Sequence, residues 1–202
     1  MARIEQSGAL MCDGHYVYTS GTHGDTYFNK DALFAHVELT AALCQDIAQQ
    51  FASNKPEVVI GPVAGGVIMS QWVAHFLNQE TSDGEVMVIY ADKKRSSTDM
   101  EPQFIIKRGY DKLIRGKRVL LVDDVLNKGT SLRALRDAVL QNGGEIVGAG
   151  CIINRYAHTA RTLRLPKLYA IAKLELQIFD AKACELCKSG QPINTDFGKD
   201  KV

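Results

Sequence analysis

The chain has 202 residues, of which 46% are hydrophobic and 23% are charged, and its formal net charge is +1. This length and composition predict one globular domain with a substantial core, and the balanced charge argues against nucleic-acid binding. No apolar run approaches the ~20 residues that a membrane helix needs, and the first residues lack the apolar stretch of a signal peptide. We therefore expect a cytoplasmic protein without a membrane or nucleic-acid partner.

Predicted strands and helices alternate along most of the chain. Apolar residues recur every three or four positions over 33–51, which predicts a helix with Asp31 as its N-cap. The later predictions are strand 57–61, helix 65–77 with Trp72 and Phe76 in the core, strand 86–90, a polar loop over 91–103, strands 104–106 and 118–122, a helix over 132–140, strand 145–153 and an apolar segment over 168–174. This alternation predicts an α/β fold with a twisted parallel sheet flanked by helices, whose core spans about 33–155. The ends, about 1–32 and 156–202, would form a small hood.

The most informative segment is 119–131, where an apolar strand runs into Asp123 and Asp124 and then into a polar loop before a helix. In open α/β sheets, ligands bind at the carboxyl ends of strands. Free N–H groups at a helix start suit a phosphate, and paired carboxylates suit sugar hydroxyls or a magnesium ion. The segment therefore predicts a phosphorylated sugar as ligand. It matches neither a P-loop nor a dinucleotide-binding glycine motif.

A second strand-to-helix junction carries three glycines within Gly61-Pro-Val-Ala-Gly-Gly66. Glycines let a backbone approach a ligand closely, and the following helix start again suits an anion. Two anion sites on neighbouring strands would fit a ligand with two anionic ends.

The 119–131 segment resembles the signature of the type I phosphoribosyltransferases, which use phosphoribosyl pyrophosphate (PRPP). It departs from that signature at Asn127 and Lys128. The stretch Tyr16–Lys30 resembles the N-terminal motif of the orotate phosphoribosyltransferases at Ser20, Gly21, Tyr27 and Asn29, although Thr19 stands where many members carry lysine. The tail from Cys184 to Pro192 resembles a C-P-L-C-x-x-G-x-P ending in one branch of that family. The resemblance implies a single phosphoribosyltransferase domain over 1–202.

The resemblance also implies the site. PRPP contacts are expected at Gly61, Pro62, Gly65, Gly66, Asp123, Asp124, Val125, Leu126, Asn127, Lys128, Gly129, Thr130 and Ser131. Orotate contacts are expected from Asn127, Tyr27 and Arg155, since a planar guanidinium matches a carboxylate at two points. Asn154 stands where the family often has aspartate. Magnesium would bind through PRPP, with Asp123 and Asp124 acting directly or through water, and no metal would be held by protein side chains alone.

The departing pyrophosphate needs cations, and the 91–103 loop supplies Lys93, Lys94 and Arg95. In the family this loop acts across a homodimer interface and carries lysine and histidine. Here it has no histidine, so the expected catalytic residues are Lys93 and Lys94 together with Asp123 and Asp124.

The five cysteines, Cys12, Cys44, Cys151, Cys184 and Cys187, are odd in number, and Cys44 and Cys151 fall in predicted buried elements. We therefore expect reduced thiols. Cys184 and Cys187 have zinc-knuckle spacing, but no second ligand pair follows them. A reducible pair or plain packing is the favoured interpretation. The five histidines do not cluster in sequence with acids or cysteines, and His23, within the N-terminal motif, is a candidate to line the site.

Three functions remain open at this point. The first is orotate phosphoribosyltransfer, which makes orotidine 5′-monophosphate in de novo pyrimidine (UMP) synthesis. The second is the same chemistry on another base, either a purine or an orotate analogue. The third is a catalytically impaired PRPP-binding regulator.

Overall fold

The computed structural model describes residues 2–18, 20–81, 84–94, 102–174 and 176–197. Its strands are β1 (Leu10–Met11), β2 (Tyr16–Val17), β3 (His23–Gly24), β4 (Tyr27–Phe28), β5 (Val58–Pro62), β6 (Met87–Lys93), β7 (Phe104–Ile105), β8 (Arg118–Leu126), β9 (Glu145–Asn154), β10 (Leu168–Lys173) and β11 (Ile178–Phe179). Its α-helices are α1 (Ala2–Gln6), α2 (Lys30–Ala35), α3 (Val37–Phe51), α4 (Gly65–Glu80), α5 (Tyr110–Ile114), α6 (Thr130–Gln141), α7 (Ala160–Leu163) and α8 (Glu185–Lys188). The chain forms two compact units, Thr40–Leu174 and Met1–Leu39 with Glu175–Val202.

The larger unit is built on a six-stranded sheet in the order β10-β9-β8-β5-β6-β7. Neighbouring strands run parallel from β10 to β6, and β7 pairs antiparallel with β6. The central strand β8 carries the run Val119–Val122, which is buried throughout. Such continuous burial is typical of a parallel strand that helices cover on both faces. The predicted α/β fold with a mainly parallel sheet is confirmed.

The core of this unit consists of apolar side chains from the inner strands and α6. Ile60, Ile89 and Leu121 are fully buried within it. Helix α3 lies close to β9 because Gly150 has no side chain: a Cβ there would lie 2.5 Å from Cγ2 of Ile47. Burial of apolar surface stabilises a protein by about 25 cal/mol per Å². The buried core therefore stabilises the sheet and fixes the positions of the residues at its edges.

Cys44 and Cys151 are buried in this unit as predicted, and the five cysteines are free thiols. Burial raises the pKa of Cys44 to about 12. Burial, and then the nearby charge of Asp123, raises the pKa of Cys151 as well. Because the thiolate is the reactive form, both residues act as small apolar groups.

The predicted helix over 33–51 is in fact two helices, α2 and α3, which meet at His36. The predicted N-cap was wrong, because Asn29 caps α2. Its side-chain oxygen accepts the N–H groups of Asp31 and Ala32 at 3.1 and 3.2 Å. Asp31 instead lies in the first helical turn, where a negative charge interacts favourably with the helix dipole.

Two other local predictions need correction. Strand β6 runs three residues beyond Tyr90, because Asp92 and Lys93 pair with β7. The predicted polar loop over 91–103 is therefore shorter, and residues 95–101 of it lie outside the described part of the chain. On α4, Trp72 and Phe76 are half-buried and stack on each other with ring centroids 6.0 Å apart. The fully buried face of that helix is formed by Met69, Val73 and Leu77.

The smaller unit contains two small antiparallel sheets, β1-β4 and β11-β3-β2. Each of its strands has two residues, and the buried side chains around them include Ile4 and Leu33. The pairing of β11 with β3 joins the C-terminal segment to the N-terminal segment. The same pairing brings His15 and His23 beside Cys184 and Cys187, although these residues are far apart in sequence.

The unit boundaries differ from those expected for a core and a hood. The chain divides after Leu39 and Leu174, not near 32 and 156. The later C-terminal boundary arises because β10 pairs in parallel with β9 and so belongs to the large sheet. Across the described residues, the helices are too short or too polar to cross a membrane.

Candidate functional site

Four parallel strands of the large sheet end at one edge. Strands β5, β6, β8 and β9 have their last residues at Pro62, Lys93, Leu126 and Asn154. Because they run in the same direction, the loops that follow them meet at this edge, which we call the carboxyl edge. Ligands of open α/β sheets bind in this position.

Asp123 and Asp124 lie near the end of β8. Asp123 is 8% exposed, and its Oδ1 accepts the N–H of Asp124 at 3.0 Å. Oδ1 of Asp124 accepts the N–H of Val125 at 2.7 Å. Burial raises the pKa of Asp123 well above its usual range, and the charge of Asp124 raises it further. Two crowded carboxylates of this kind favour a ligand that brings hydroxyl donors or a cation.

The loop after β8 leads into α6 and has the geometry of an anion site. Gly129 caps α6 in the left-handed region with φ 75°, and a Cβ on it would lie 2.8 Å from Leu163 Cδ2. The positive φ favours glycine here, and a larger residue would also have to displace the end of the Leu163 side chain. The N–H groups of Thr130, Ser131 and Leu132 belong to the first helical turn, so they have no acceptor within the helix. Such N–H groups and the helix dipole together favour a phosphate.

Two side chains hold the outer part of this loop by its carbonyl groups. Arg133 donates from Nη1 and Nη2 to the carbonyl of Lys128 at 2.9 and 3.2 Å. Nε2 of His158 lies 2.7 Å from the carbonyl of Asn127. Asn127 and Lys128 themselves are exposed. The loop is therefore fixed through its oxygen atoms, which leaves its N–H groups for a ligand.

The Gly61–Gly66 junction has a second explanation beside ligand binding. A Cβ on Gly66 would lie 2.9 Å from the carbonyl carbon of Gly61, so β5 and α4 approach at backbone contact. Glycine is therefore required at 61 and 66 for packing alone. Pro62 and Gly65 are buried beside them, and the Val63–Ala64 peptide bond is cis.

The lysines expected at the pyrophosphate end lie at the end of β6. Lys93 is exposed, and its positive charge lowers the pKa of Asp123, although burial outweighs this effect. Lys94 is held by Gln103, which accepts its backbone N–H at 2.8 Å and its Nζ at 3.2 Å. Arg95 lies outside the described residues.

Arg155 follows β9 and donates its backbone N–H to the carbonyl of Leu126 at 3.0 Å, which ties it to the end of β8. Its side chain is half-buried. The preceding Asn154 is 1% exposed and bonds twice to the backbone of His158, by donating to its carbonyl and accepting its N–H. A carboxylate could only accept, so this loop explains why asparagine stands where the family often has aspartate.

Arg133 and His158 also shape the site, and neither was predicted from the sequence. Arg133 sits one turn into α6, a position from which a long side chain reaches back over the N-terminus. No local sequence pattern pointed to His158, because its role depends on a loop between β9 and α7.

Two residues of the N-terminal motif lie in the smaller unit. The ring of Tyr27 packs 5.5 Å from that of Tyr16, and Nδ1 of His23 lies 2.8 Å from Nε2 of His15.

With this geometry in place, similarity to known proteins defines the class. Residues 28–177 match the family model of the phosphoribosyl transferase domain. The chain therefore belongs to the phosphoribosyltransferases.

Within that class, two relatives are similar over nearly the full length. The orotate phosphoribosyltransferase of Chlorobium phaeobacteroides is 29% identical over 194 residues, which cover 96% of this chain and 92% of the relative. That of Pelotomaculum thermopropionicum is 31% identical over 192 residues, which cover 95% and 92%. The crystal structure of the orotate phosphoribosyltransferase from Aeropyrum pernix superposes with a TM-score of 0.66 at 20% identity, covering 86% of this chain and 93% of that one.

Proposed function

We propose that this chain is an orotate phosphoribosyltransferase of de novo pyrimidine synthesis. A ring nitrogen of orotate forms a bond to C1 of the PRPP ribose and loses its proton to solvent, while the C1–O bond to pyrophosphate breaks. Orotidine 5′-monophosphate and pyrophosphate are then released. Relatives of that name match about 95% of the chain. The observation that carries the proposal is the pair Asp123-Asp124 at the carboxyl edge, directly before the helix start of α6.

The ribose 5-phosphate end of PRPP fits the loop from Asn127 to Ser131. The N–H groups at the start of α6, with the hydroxyls of Thr130 and Ser131, would bind the phosphate. Val125, Leu126 and Lys128 complete the strand end and the loop beside it. Because Gly129 and the loop carbonyls are fixed by the protein, this binding surface would be formed before the ligand arrives.

The ribose and pyrophosphate ends fit the acids and the neighbouring junction. Asp123 and Asp124 would accept hydrogen bonds from the ribose hydroxyls, directly or through water. The junction formed by Gly61, Pro62, Gly65 and Gly66 would place backbone groups near the pyrophosphate, in addition to packing β5 on α4. Catalysis would then consist of positioning and of stabilising charge as C1 becomes cationic.

Magnesium fits this site because it prefers oxygen ligands and phosphates, and because two adjacent carboxylates, one of them buried, lie at the strand end. When bound with PRPP, Mg²⁺ neutralises charge on the pyrophosphate. Lys93 and Lys94 would add positive charge for the leaving group. By family resemblance, the 91–103 segment would act at the site of a second subunit in a homodimer.

The base end is assigned to Arg155, Asn127 and Tyr27. The Arg155 guanidinium would bind the orotate carboxylate at two points. The Asn127 side chain can both donate and accept, which suits the alternating polar groups of a pyrimidine ring. Tyr27 is included on the resemblance of Tyr16–Lys30 to the N-terminal motif of the family.

The test is orotate consumption, followed by its absorbance, in the presence of PRPP and magnesium. We expect turnover that disappears when magnesium is withheld. A panel of adenine, guanine, hypoxanthine and uracil is the specificity control. Turnover of another base in place of orotate would contradict the assigned substrate but keep the chemistry. PRPP binding without turnover of any base would contradict the enzyme assignment and leave a regulator.

A further inference from the structure

The smaller unit contains a cluster of four side chains that the proposed reaction does not use. His15, His23, Cys184 and Cys187 each turn one ligand-type atom toward a common centre, and these four atoms lie within 4.8 Å of one another. His15, His23 and Cys184 are buried, and Cys187 is exposed. Among the described residues, this is the group of histidines, cysteines and acids that has such geometry. We call it the His/Cys cluster.

The distances between ligand atoms in the cluster are close to those of a tetrahedral zinc site. Nε2 of His15 lies 3.7 Å from the sulfur of Cys184 and 3.7 Å from that of Cys187. Nδ1 of His23 lies 3.4 Å from the sulfur of Cys187. With Zn–N near 2.0 Å and Zn–S near 2.3 Å, a tetrahedral site has N···S edges of about 3.5 Å. The two histidine nitrogens, 2.8 Å apart, lie closer than the ~3.3 Å of an ideal N···N edge, so a small outward rotation of the rings completes the site.

A backbone carbonyl orients the His15 ring. Nδ1 of His15 lies 2.8 Å from the carbonyl oxygen of Gln191. A carbonyl only accepts, so Nδ1 carries the proton and Nε2 presents its lone pair to the cluster. Histidines that bind metals are typically held in this way by a partner on the other ring nitrogen.

The fold brings the four residues together from both ends of the chain. His15 precedes β2, and His23 lies on β3, opposite Val17. Strand β11 pairs with β3 and is followed along the chain by α8, whose N-cap is Cys184 and whose third residue is Cys187. The N–H of Asn194 donates to the carbonyl of His15 at 2.7 Å and holds the tail beyond α8.

We propose that His15, His23, Cys184 and Cys187 bind one zinc ion in a structural tetrahedral site. Thiolate and imidazole ligands suit zinc, and four protein ligands leave no open position for catalysis. Without metal, the same atoms would form a His–His hydrogen bond and weaker contacts between the thiols and the imidazole rings.

Zinc would cross-link residues that are 169 positions apart. Strands of two residues supply few hydrogen bonds, and small units of this kind are often stabilised by a metal or disulfide. We therefore expect the metal to stabilise the smaller unit, with little direct effect on the carboxyl edge of the sheet.

The first experiment measures zinc in the full-length chain, purified without a polyhistidine tag and without chelator. We expect one zinc per chain in the wild type and loss of that zinc in Cys187→Ser and His23→Ala. Cys12→Ser and His75→Ala are matched controls, because both remove an exposed residue of the same type outside the cluster. Substoichiometric zinc in the wild type, or zinc retained in both cluster variants, would overturn the proposal.

A second measurement keeps the test valid if a cluster variant fails to fold. The wild type is stripped with a chelator and titrated with Co²⁺, whose visible spectrum reports tetrahedral geometry and thiolate ligation. We expect one equivalent to bind with a tetrahedral, thiolate-ligated spectrum and to restore the melting temperature lost on stripping. An octahedral spectrum, or a Cys184–Cys187 disulfide detected by mass, would contradict the site. Neither readout depends on orotate turnover, so failure of the proposed reaction would be seen separately.

Discussion

The acidic residues at the two edges of the large sheet have pKa values that are shifted in opposite directions. At the edge where the parallel strands β5 and β8 begin, which we call the amino edge, Glu57 forms ion pairs with Lys117 at 2.9 Å and Arg118 at 3.4 Å. The hydrogen bond from the Lys117 side chain, and then the one from the Arg118 backbone N–H, lowers the pKa of Glu57. At the carboxyl edge, Asp123 lies buried beside a second acid, and its pKa is raised. The charge of Glu57 at the amino edge is compensated by its neighbours, whereas the carboxyl edge places two acids side by side, an arrangement that we propose serves a ligand.

This difference separates stability from function within one sheet. Substitutions at the amino edge should weaken folding slightly and leave catalysis intact. Substitutions at the carboxyl edge should remove catalysis and leave folding intact. We expect this because the polar groups there are positioned for function and contribute little to the stability of the fold.

The largest effect is expected for Asp124→Asn, which removes a charge that we propose faces the ribose of PRPP. We expect kcat/KM for PRPP to fall about 100-fold or more, the size typical for loss of a preorganised electrostatic contact. Steady-state kinetics with varied PRPP measure it, and Glu57→Gln is the matched control. Similar kcat/KM values for the two variants would contradict the proposal that the carboxyl edge, and not the amino edge, serves the reaction.

Arg155→Ala should affect the base more than PRPP. Losing a charge-assisted hydrogen bond removes about 1.5–3 kcal/mol, so we expect the KM for orotate to rise roughly 10- to 150-fold with a smaller change for PRPP. Arg155→Lys should be intermediate, because lysine keeps the charge without the planar fork. Arg161→Ala, an exposed arginine on α7, is the control. Equal changes in both KM values would remove the role in base recognition.

Replacing Lys93 and Lys94 together by alanine should lower kcat by roughly tenfold, equivalent to about 1.4 kcal/mol of lost charge stabilisation. Because Gln103 binds Lys94, the single Lys93→Ala variant should account for most of the loss. Lys112→Ala, on α5, controls for net charge. An unchanged kcat in the double variant would mean that the end of β6 takes no part in the reaction.

The smallest effects are expected in stability, and they have opposite signs at the two edges. The lowered pKa of Glu57 contributes stability above the unfolded value of about 4.3, and this is lost as pH falls through the lowered pKa. Glu57→Gln should therefore lose about 0.2–1 kcal/mol near pH 7. Asp123 has a raised pKa, so its contribution falls as pH rises from about 3.9 through the raised value.

Asp123→Asn should consequently be at least as stable as the wild type near pH 7, although it loses activity. Thermal unfolding as a function of pH measures both variants. A destabilised Asp123→Asn with a normal Glu57→Gln would reverse the assignment of roles to the two edges.

The large sheet could be predicted because its signals are local. The run Val119–Val122 followed by two acids specifies a buried strand and its polar end within a few residues. The break at His36 could not be predicted, since no proline or glycine marks it, and the extra length of β6 could not be predicted, since it depends on pairing with β7 across a polar stretch.

The site shows the same limit. Asp123, Gly129 and Ser131 lie within one motif and were visible as a group, whereas His158 contacts the loop carbonyl of Asn127 from 31 positions away. The His/Cys cluster is the extreme case. Cys184 and Cys187 looked like half of a zinc site with nothing to complete it, because the other ligands come from the opposite end of the chain through β-pairing that no local pattern specifies.

Hydrogen–deuterium exchange with and without PRPP and magnesium tests the central claim most directly, that the carboxyl edge binds the phosphorylated sugar. The account predicts that amides over 123–132 become protected when PRPP binds, while amides over 55–58 and 115–118 at the amino edge exchange as before. PRPP binding that leaves 123–132 unprotected would contradict it.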